Sequence, residues 1–173
     1  MSKRRFKKLG TISEYEYDSD ILMRHSRLNS HNFRFERCWQ FPFKLEAWIQ
    51  KRIEGYTLNC PAGKSNTGDV LGDLFPQSKK VQQMDMNKLP FDDNTFDTII
   101  SDPPWKLGLY QRPKPFYEAM RVCRGGGLII YNSTWLPRTK YGKLLELYVR
   151  SDARWTQASI ISVWRKDKQG SLA

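Results

Sequence analysis

Asp102-Pro103-Pro104-Trp105 is the part of this chain best equipped for chemistry. It follows the β-branched run Thr98-Ile99-Ile100, which places it just past the end of a predicted strand, Phe96–Ser101. Proline fixes φ and has no backbone N–H, so carbonyls in such a segment stay available as acceptors. Asp102 adds a side-chain acceptor, and Trp105 offers a stacking face. A carboxylate, two rigid prolines and a large aromatic in succession suit the holding of a flat ring that bears an amine. The plainer alternative is a strand followed by a Pro-Pro turn.

Three earlier features point to the same place. The loop Pro61-Ala62-Gly63-Lys64-Ser65-Asn66-Thr67-Gly68 follows a predicted strand, Tyr56–Cys60, and its two glycines permit close backbone approach to a ligand. Asp73 lies at the end of the predicted strand Val70–Leu74 and could accept from both hydroxyls of a ribose. Asp85 follows the predicted strand Val81–Met84 and could accept from an adenine amine or another donor. In open α/β sheets ligands bind beyond the carboxyl ends of the strands, near the switch in strand order. Asp73, Asp85 and Asp102 at successive strand ends therefore define one crevice, although each alone reads as a turn or cap aspartate. Ala62-Gly63-Lys64-Ser65 also contains the Gly-Lys-Ser end of a phosphate-binding loop. The full pattern needs a glycine five positions before Gly63, where this chain has Leu58 inside a strand, so a triphosphate loop is not expected.

The elements that must position these residues alternate between strand and helix. Helical spacing over Phe41–Ile53 puts Phe41, Leu45, Trp48 and Ile49 on one face, and Gly55 ends the run. Pro115–Cys123 reads as a helix that stops at Arg124-Gly125-Gly126-Gly127, and Leu128–Tyr131 as a strand. Lys140–Arg150 reads as a helix with Leu144, Leu145 and Tyr148 on one side, and Ala158–Trp164 as a strand or tight pair. This alternation predicts a single-domain α/β fold with an open, mostly parallel sheet. Residues 39–173 would form that domain, and residues 1–38 a basic, irregular N-terminal extension.

At 173 residues the chain can bury a core without staples. Cys38, Cys60 and Cys123 are odd in number and form no CxxC, which points to a reducing compartment. His25 and His31 have no cysteine near them in sequence, so no metal site is expected. No run has transmembrane length and no signal peptide is evident, so a soluble, cytoplasmic protein with no membrane partner is expected. The net charge is +11 and unevenly spread. Residues 1–54 carry 12 basic and 7 acidic groups, residues 55–104 carry 4 and 7, and residues 105–173 carry 13 and 4. Such a field attracts polyanions, nucleic acid first. Residues 1–9 form a basic arm.

Taken together, these residues resemble a class I S-adenosylmethionine-dependent methyltransferase with a Rossmann-like sheet. Asp102-Pro103-Pro104-Trp105 resembles the [DNS]-P-P-[YFW] motif of amino-methyltransferases that act on nucleic acid bases. The cofactor region precedes that motif, unlike the order in the eukaryotic messenger-RNA adenine methyltransferases, which share the tetrapeptide. Leu89-Pro90-Phe91-Asp92-Asp93-Asn94-Thr95-Phe96-Asp97 and Arg124-Gly125-Gly126-Gly127-Leu128 resemble stretches common to methyltransferases, including those for small molecules. The similarity covers about residues 56–135. It departs in the first loop, where Gly-x-Gly-x-Gly is replaced by Pro61-Ala62-Gly63-Lys64-Ser65.

The resemblance implies S-adenosylmethionine as cofactor, held by Asn59, Cys60, Pro61, Ala62, Gly63, Ser65, Asp73, Asp85 and Met86. It implies Asp102, Pro103, Pro104 and Trp105 as the catalytic set, with Lys106, Arg112 and Lys114 able to hold flanking phosphates of DNA or RNA. The expected reaction is methylation of an exocyclic base amine, adenine N6 ahead of cytosine N4. With no large target-recognition domain, specificity would fall to residues 1–55, the loop at 106–115, a protein partner, or nucleic acid shape. Transfer to a small molecule or protein amide, and a nucleic-acid-binding module that has lost catalysis, are the competing expectations.

Overall fold

The computed structural model describes residues 41, 43–150 and 159–168. The extension expected over 1–38, its basic arm, His25, His31 and Cys38 lie outside the described residues. Helix α1 spans Phe43–Gln50, followed by β1 (Thr57–Asn59), β2 (Val70–Asp73), β3 (Val81–Gln83) and β4 (Phe96–Ser101). Helix α2 (Pro113–Val122) leads directly into β5 (Cys123–Ser133), then β6 (Gly142–Arg150) and β7 (Ser159–Lys166). The seven strands form one sheet in the order β3-β2-β1-β4-β5-β7-β6. β1 through β5 pair in parallel, and β7 runs antiparallel between β5 and β6. This is the open, mostly parallel α/β sheet expected, with its switch in strand order between β1 and β4.

Alternation along the central strands distributes the core to both faces. Ile99, Ile129 and Tyr131 face one side, where Phe116, Ala119 and Met120 of α2 cover them. Ile100, Leu128 and Ile130 face the other, under Leu45, Trp48 and Ile49 of α1. Each buried Leu, Ile, Phe or Met side chain among them contributes about 1.5–3 kcal/mol of burial. Phe116 packs edge-on to Tyr131 (5.1 Å) and Trp164 (5.5 Å), fixing α2 against β5 and β7. Pro at the first turn of α2 suits its start, because that N–H would lack a helical partner anyway.

The stretch Leu89–Asp97 is organised by one arginine of α2. Arg121 donates to the Leu89 carbonyl (3.0 Å), the Phe91 carbonyl (2.8 Å) and Asp93 Oδ1 (2.8 Å). It also forms a two-point ion pair with Glu118, whose Oε1 accepts from the Leu89 N–H (2.7 Å).

Two expectations are corrected. Residues 142–150 form strand β6, not a helix. A register shift between Leu144 and Glu146 inserts Leu145 as an extra residue, which breaks the period of two. Leu144 consequently packs with the α2-side cluster and Tyr148 with the α1-side cluster, so their spacing of four mimics a helix face they do not share. The glycine run 125–127 does not precede a strand but lies within β5. Gly126 has φ 83°, and a Cβ on Gly127 would stand 2.7 Å from the Asp97 carbonyl oxygen. The β1–β2 and β2–β3 connections are loops, as the sequence reads, and among the described residues α2 is the helical crossover.

Candidate active site

Every loop at the carboxyl ends of β1 to β4 contributes to one cavity of about 290 Å³. This is near the lower limit for small-molecule sites. Its walls come from Cys60–Gly63 after β1, Asp73–Phe75 after β2, Met84–Asn87 after β3 and Asp102–Trp105 after β4, with Phe41 ahead of α1.

The first loop is held from two directions. Asp73 is buried, and its carboxylate accepts from the Gly63 N–H (2.9 Å) and the Phe75 N–H (2.9 Å). Gly63 sits at φ 55°, a conformation that favours glycine, so its N–H can turn toward β2. From behind, Glu46 of α1 accepts from Ser65 Oγ (2.6 Å) and Thr67 Oγ1 (2.8 Å). Asn59 donates to the Thr67 carbonyl (2.9 Å) and Ser65 Oγ (3.2 Å). Asn59 and Ser65 therefore shape the loop from within the fold, and neither lines the cavity.

Asp102 stands where β4 ends. Its Oδ1 accepts from Trp105 Nε1 (3.2 Å) and Asn132 Nδ2 (3.1 Å), and Asn132 Oδ1 accepts from Ser159 Oγ (2.6 Å). Trp105 is half-buried at the wall. Asp85 is the more exposed carboxylate, accepting from the backbone and side-chain N–H groups of Asn87, both at 2.8 Å. Among the described residues no three His, Cys, Asp or Glu side chains are grouped to hold a metal. Burial pushes the Cys60 thiol up to about 12, with Asp73 and Asp85 adding to the shift, so it stays protonated and unreactive. Burial, with the nearby Asp102 charge, also raises the Tyr131 phenol.

The structure brings Cys60, Pro61, Ala62, Gly63, Asp73, Asp85, Met86, Asp102, Pro103, Pro104 and Trp105 together at this cavity. Lys106, Arg112 and Lys114 lie outside its walls on the following loop and the start of α2. Arg112 Nε donates to the Leu107 carbonyl (3.0 Å), and its guanidinium lies 5.0 Å from the Trp135 ring. Sequence reasoning missed the apolar walls Phe41, Leu74, Phe75 and Met84. It also missed Asn132, which the strand-end rule that selected Asp102 would have reached. Glu46 carried no signal, since a helix glutamate reads as solvated surface.

Residues 65–131 match the family model described as a methyltransferase domain. No curated protein matches the chain significantly. Among solved structures, a putative methyltransferase, yhhF, from Escherichia coli is 15% identical, with 73% of this chain and 84% of that one covered at a TM-score of 0.51. The N-methyltransferase NodS from Bradyrhizobium japonicum is 13% identical over 74% and 98% of the two chains, at 0.51. The structure described as "Conversion of a Disulfide Bond into a Thioacetal Group during Echinomycin Biosynthesis" is 12% identical over 87% and 95%, at 0.56. At such identities the likeness is one of fold. The chain has the Rossmann-like fold of class I methyltransferases, and the methyltransferase-domain match implies S-adenosylmethionine as methyl donor. The residues present fit that group. A buried carboxylate at the end of β2, a tight loop after β1, and the apolar lining from Phe75, Met84 and Met86 suit a ribose, a charged amino-acid tail and a purine.

Proposed function

We propose that this protein methylates an exocyclic amine of a nucleic acid base, adenine N6 ahead of cytosine N4. The observation that carries the reading is the convergence of Asp102, Pro103, Pro104 and Trp105 on the cavity that also holds the Gly63 loop and Asp73. Bound S-adenosylmethionine would supply an electrophilic methyl group, with Gly63, Asp73, Asp85 and Met86 holding it. The chain's own task is to prepare the amine. Its lone pair is delocalised into the ring and nucleophilic only when localised. Asp102 and the Pro103 carbonyl would each accept one amine N–H, drawing the nitrogen toward tetrahedral geometry. Acceleration then comes from positioning and from placed acceptors. Trp105 would stack on the ring, worth about 1–3 kcal/mol. A base inside a duplex cannot reach such a site, so the target is flipped out or unpaired.

Transfer to a small-molecule amine is the second reading. NodS, with the same fold, is described as an N-methyltransferase, and the family model that matches is a general one. The experiment that decides is incubation with S-adenosylmethionine and total DNA or RNA, followed by mass analysis of released nucleosides. N6-methyladenosine or its deoxy form supports the reading. Unmodified nucleosides, with methylated small amines in a parallel incubation, overturn it.

A further inference from the structure

We propose that the outer flank of α2 and the segment 134–141 form a track for an unpaired nucleic acid strand leading into the cavity. This rests on the base-amine reading above.

The track begins at the mouth. Arg112 over Trp135 joins the loop after β4 to the segment after β5. Helical spacing turns Phe116, Ala119 and Met120 inward and leaves Lys114 and Tyr117 exposed on the outer face of α2. Tyr117 Oη donates to the Arg138 carbonyl (3.0 Å), which ties the 134–141 segment alongside that face. The segment leaves Ser133 at the cavity end of the sheet and reaches Gly142, which pairs with Lys166 at the opposite end. A Cβ on Gly142 would lie 3.0 Å from Met120 Cε, in the second half of α2. Eight extended residues span about 25 Å, enough for several nucleotides of extended strand.

Charge marks this flank for a polyanion. Residues 105–143 hold eight basic groups and one acidic group, Glu118. Arg121 is engaged by Glu118 and Asp93, and Arg124 by Asp97, at the end of α2 farther from the cavity. Lys114, Arg138 and Lys140 are exposed along this flank, with half-buried Arg112 at its start and the exposed rings of Tyr117 and Tyr141 between them. Cations alternating with aromatic faces bind single strands, because bases can stack while phosphates pair. A duplex keeps its bases stacked inside and leaves the aromatics without partners.

The test is fluorescence anisotropy of the full chain with a labelled single strand of about ten nucleotides, its duplex, and a dinucleotide. Anionic phosphatidylserine vesicles serve as the competing polyanion. The single strand is expected to bind tightest and the dinucleotide weakest. Four phosphate contacts give a log–log salt slope of about −2.8. The double variant Arg138→Gln/Lys140→Gln is expected to lose at least about tenfold in single-strand affinity and half that slope, about 1.4, with unchanged S-adenosylmethionine titration and unfolding midpoint. Unchanged single-strand affinity or slope in the variant overturns the track, as does tighter binding of the duplex or the vesicles. If the Arg138- and Lys140-dependent binding is found but no base is methylated in any polymer, the track stands and the catalytic reading fails. If bases are methylated and the variant transfers to long and short strands like the wild type, the track alone falls.

Discussion

Asn132 Nδ2 donates to Asp102 Oδ1 at 3.1 Å, across the end of the β4–β5 pair. Ser159 Oγ donates to the Asn132 carbonyl oxygen, which fixes the amide with its NH₂ toward Asp102. The carboxylate is thus oriented by a residue that does not itself line the cavity. Asn132→Ala is expected to lower kcat by about 10–100-fold, the scale of a misplaced catalytic group, with little change in cofactor affinity. Asn132→Asp puts a like charge where the donor stood and should lose more; Ser159→Ala should lose less. The check is kcat at saturating S-adenosylmethionine alongside cofactor titration. Wild-type kcat in both Asn132→Ala and Asn132→Asp would show that the contact does not orient Asp102.

Asp73 joins the end of β2 to the loop after β1 through the Gly63 N–H. Asp73→Ala removes both the acceptor facing the cavity and the brace of the loop. Charged hydrogen bonds are worth about 1.5–3 kcal/mol each, so S-adenosylmethionine affinity should fall by roughly 100-fold in calorimetric titration. Asp73→Asn keeps one carbonyl acceptor and should fall by about tenfold. A titration that matches the wild type in both variants removes Asp73 from the cofactor site.

The strand-end logic by which Asp73, Asp85 and Asp102 share a crevice was legible because it follows from connectivity alone, and the cavity gathers all three. The open, mostly parallel sheet was legible from strands alternating with helical stretches, but its strand order was not. What could not be read depends on partners distant in sequence. Residues 142–150 contain a helical spacing of apolar groups, and only pairing with β7, with Leu145 bulged out, makes them a strand. Glu46 matters because α1 lies behind Ser65 and Thr67, a contact across some twenty residues that no local pattern announces. Phe41, Leu74 and Phe75 read as ordinary core or loop residues until the sheet places them around one space.

Gly72 in β2 has no room for a side chain. A Cβ there would overlap Met84, standing 2.5 Å from its Cγ and 2.9 Å from its Cε. Met84 lines the cavity, so the thioether would be pushed into that space. Gly72→Ala is expected to cost about 1–3 kcal/mol of stability as overpacking and to weaken S-adenosylmethionine binding. Adding Met84→Ala should restore part of both, because the two positions compete for one volume. Additive losses in the double variant, measured by urea unfolding and cofactor titration, would refute that shared volume.

Glu118 couples α2 to the Leu89–Asp93 stretch, and its stability contribution should depend on pH in a definite sense. The hydrogen bonds from Arg121 hold its carboxyl below the usual range, with the Leu89 N–H helping and partial burial opposing. A carboxyl held low in the folded chain stabilises it fully above the unfolded value, about 4.3. That stabilisation disappears as pH falls through the lower folded value. Glu118→Gln is therefore expected to be about 1–2 kcal/mol less stable at pH 7, with a gap that narrows below about pH 4. Urea midpoints of both proteins at pH 7 and at successively lower pH measure the gap directly. A constant offset across that range would mean that Glu118 stabilises the loop by shape alone, with its charge playing no part in holding Arg121 against the Leu89 and Phe91 carbonyls.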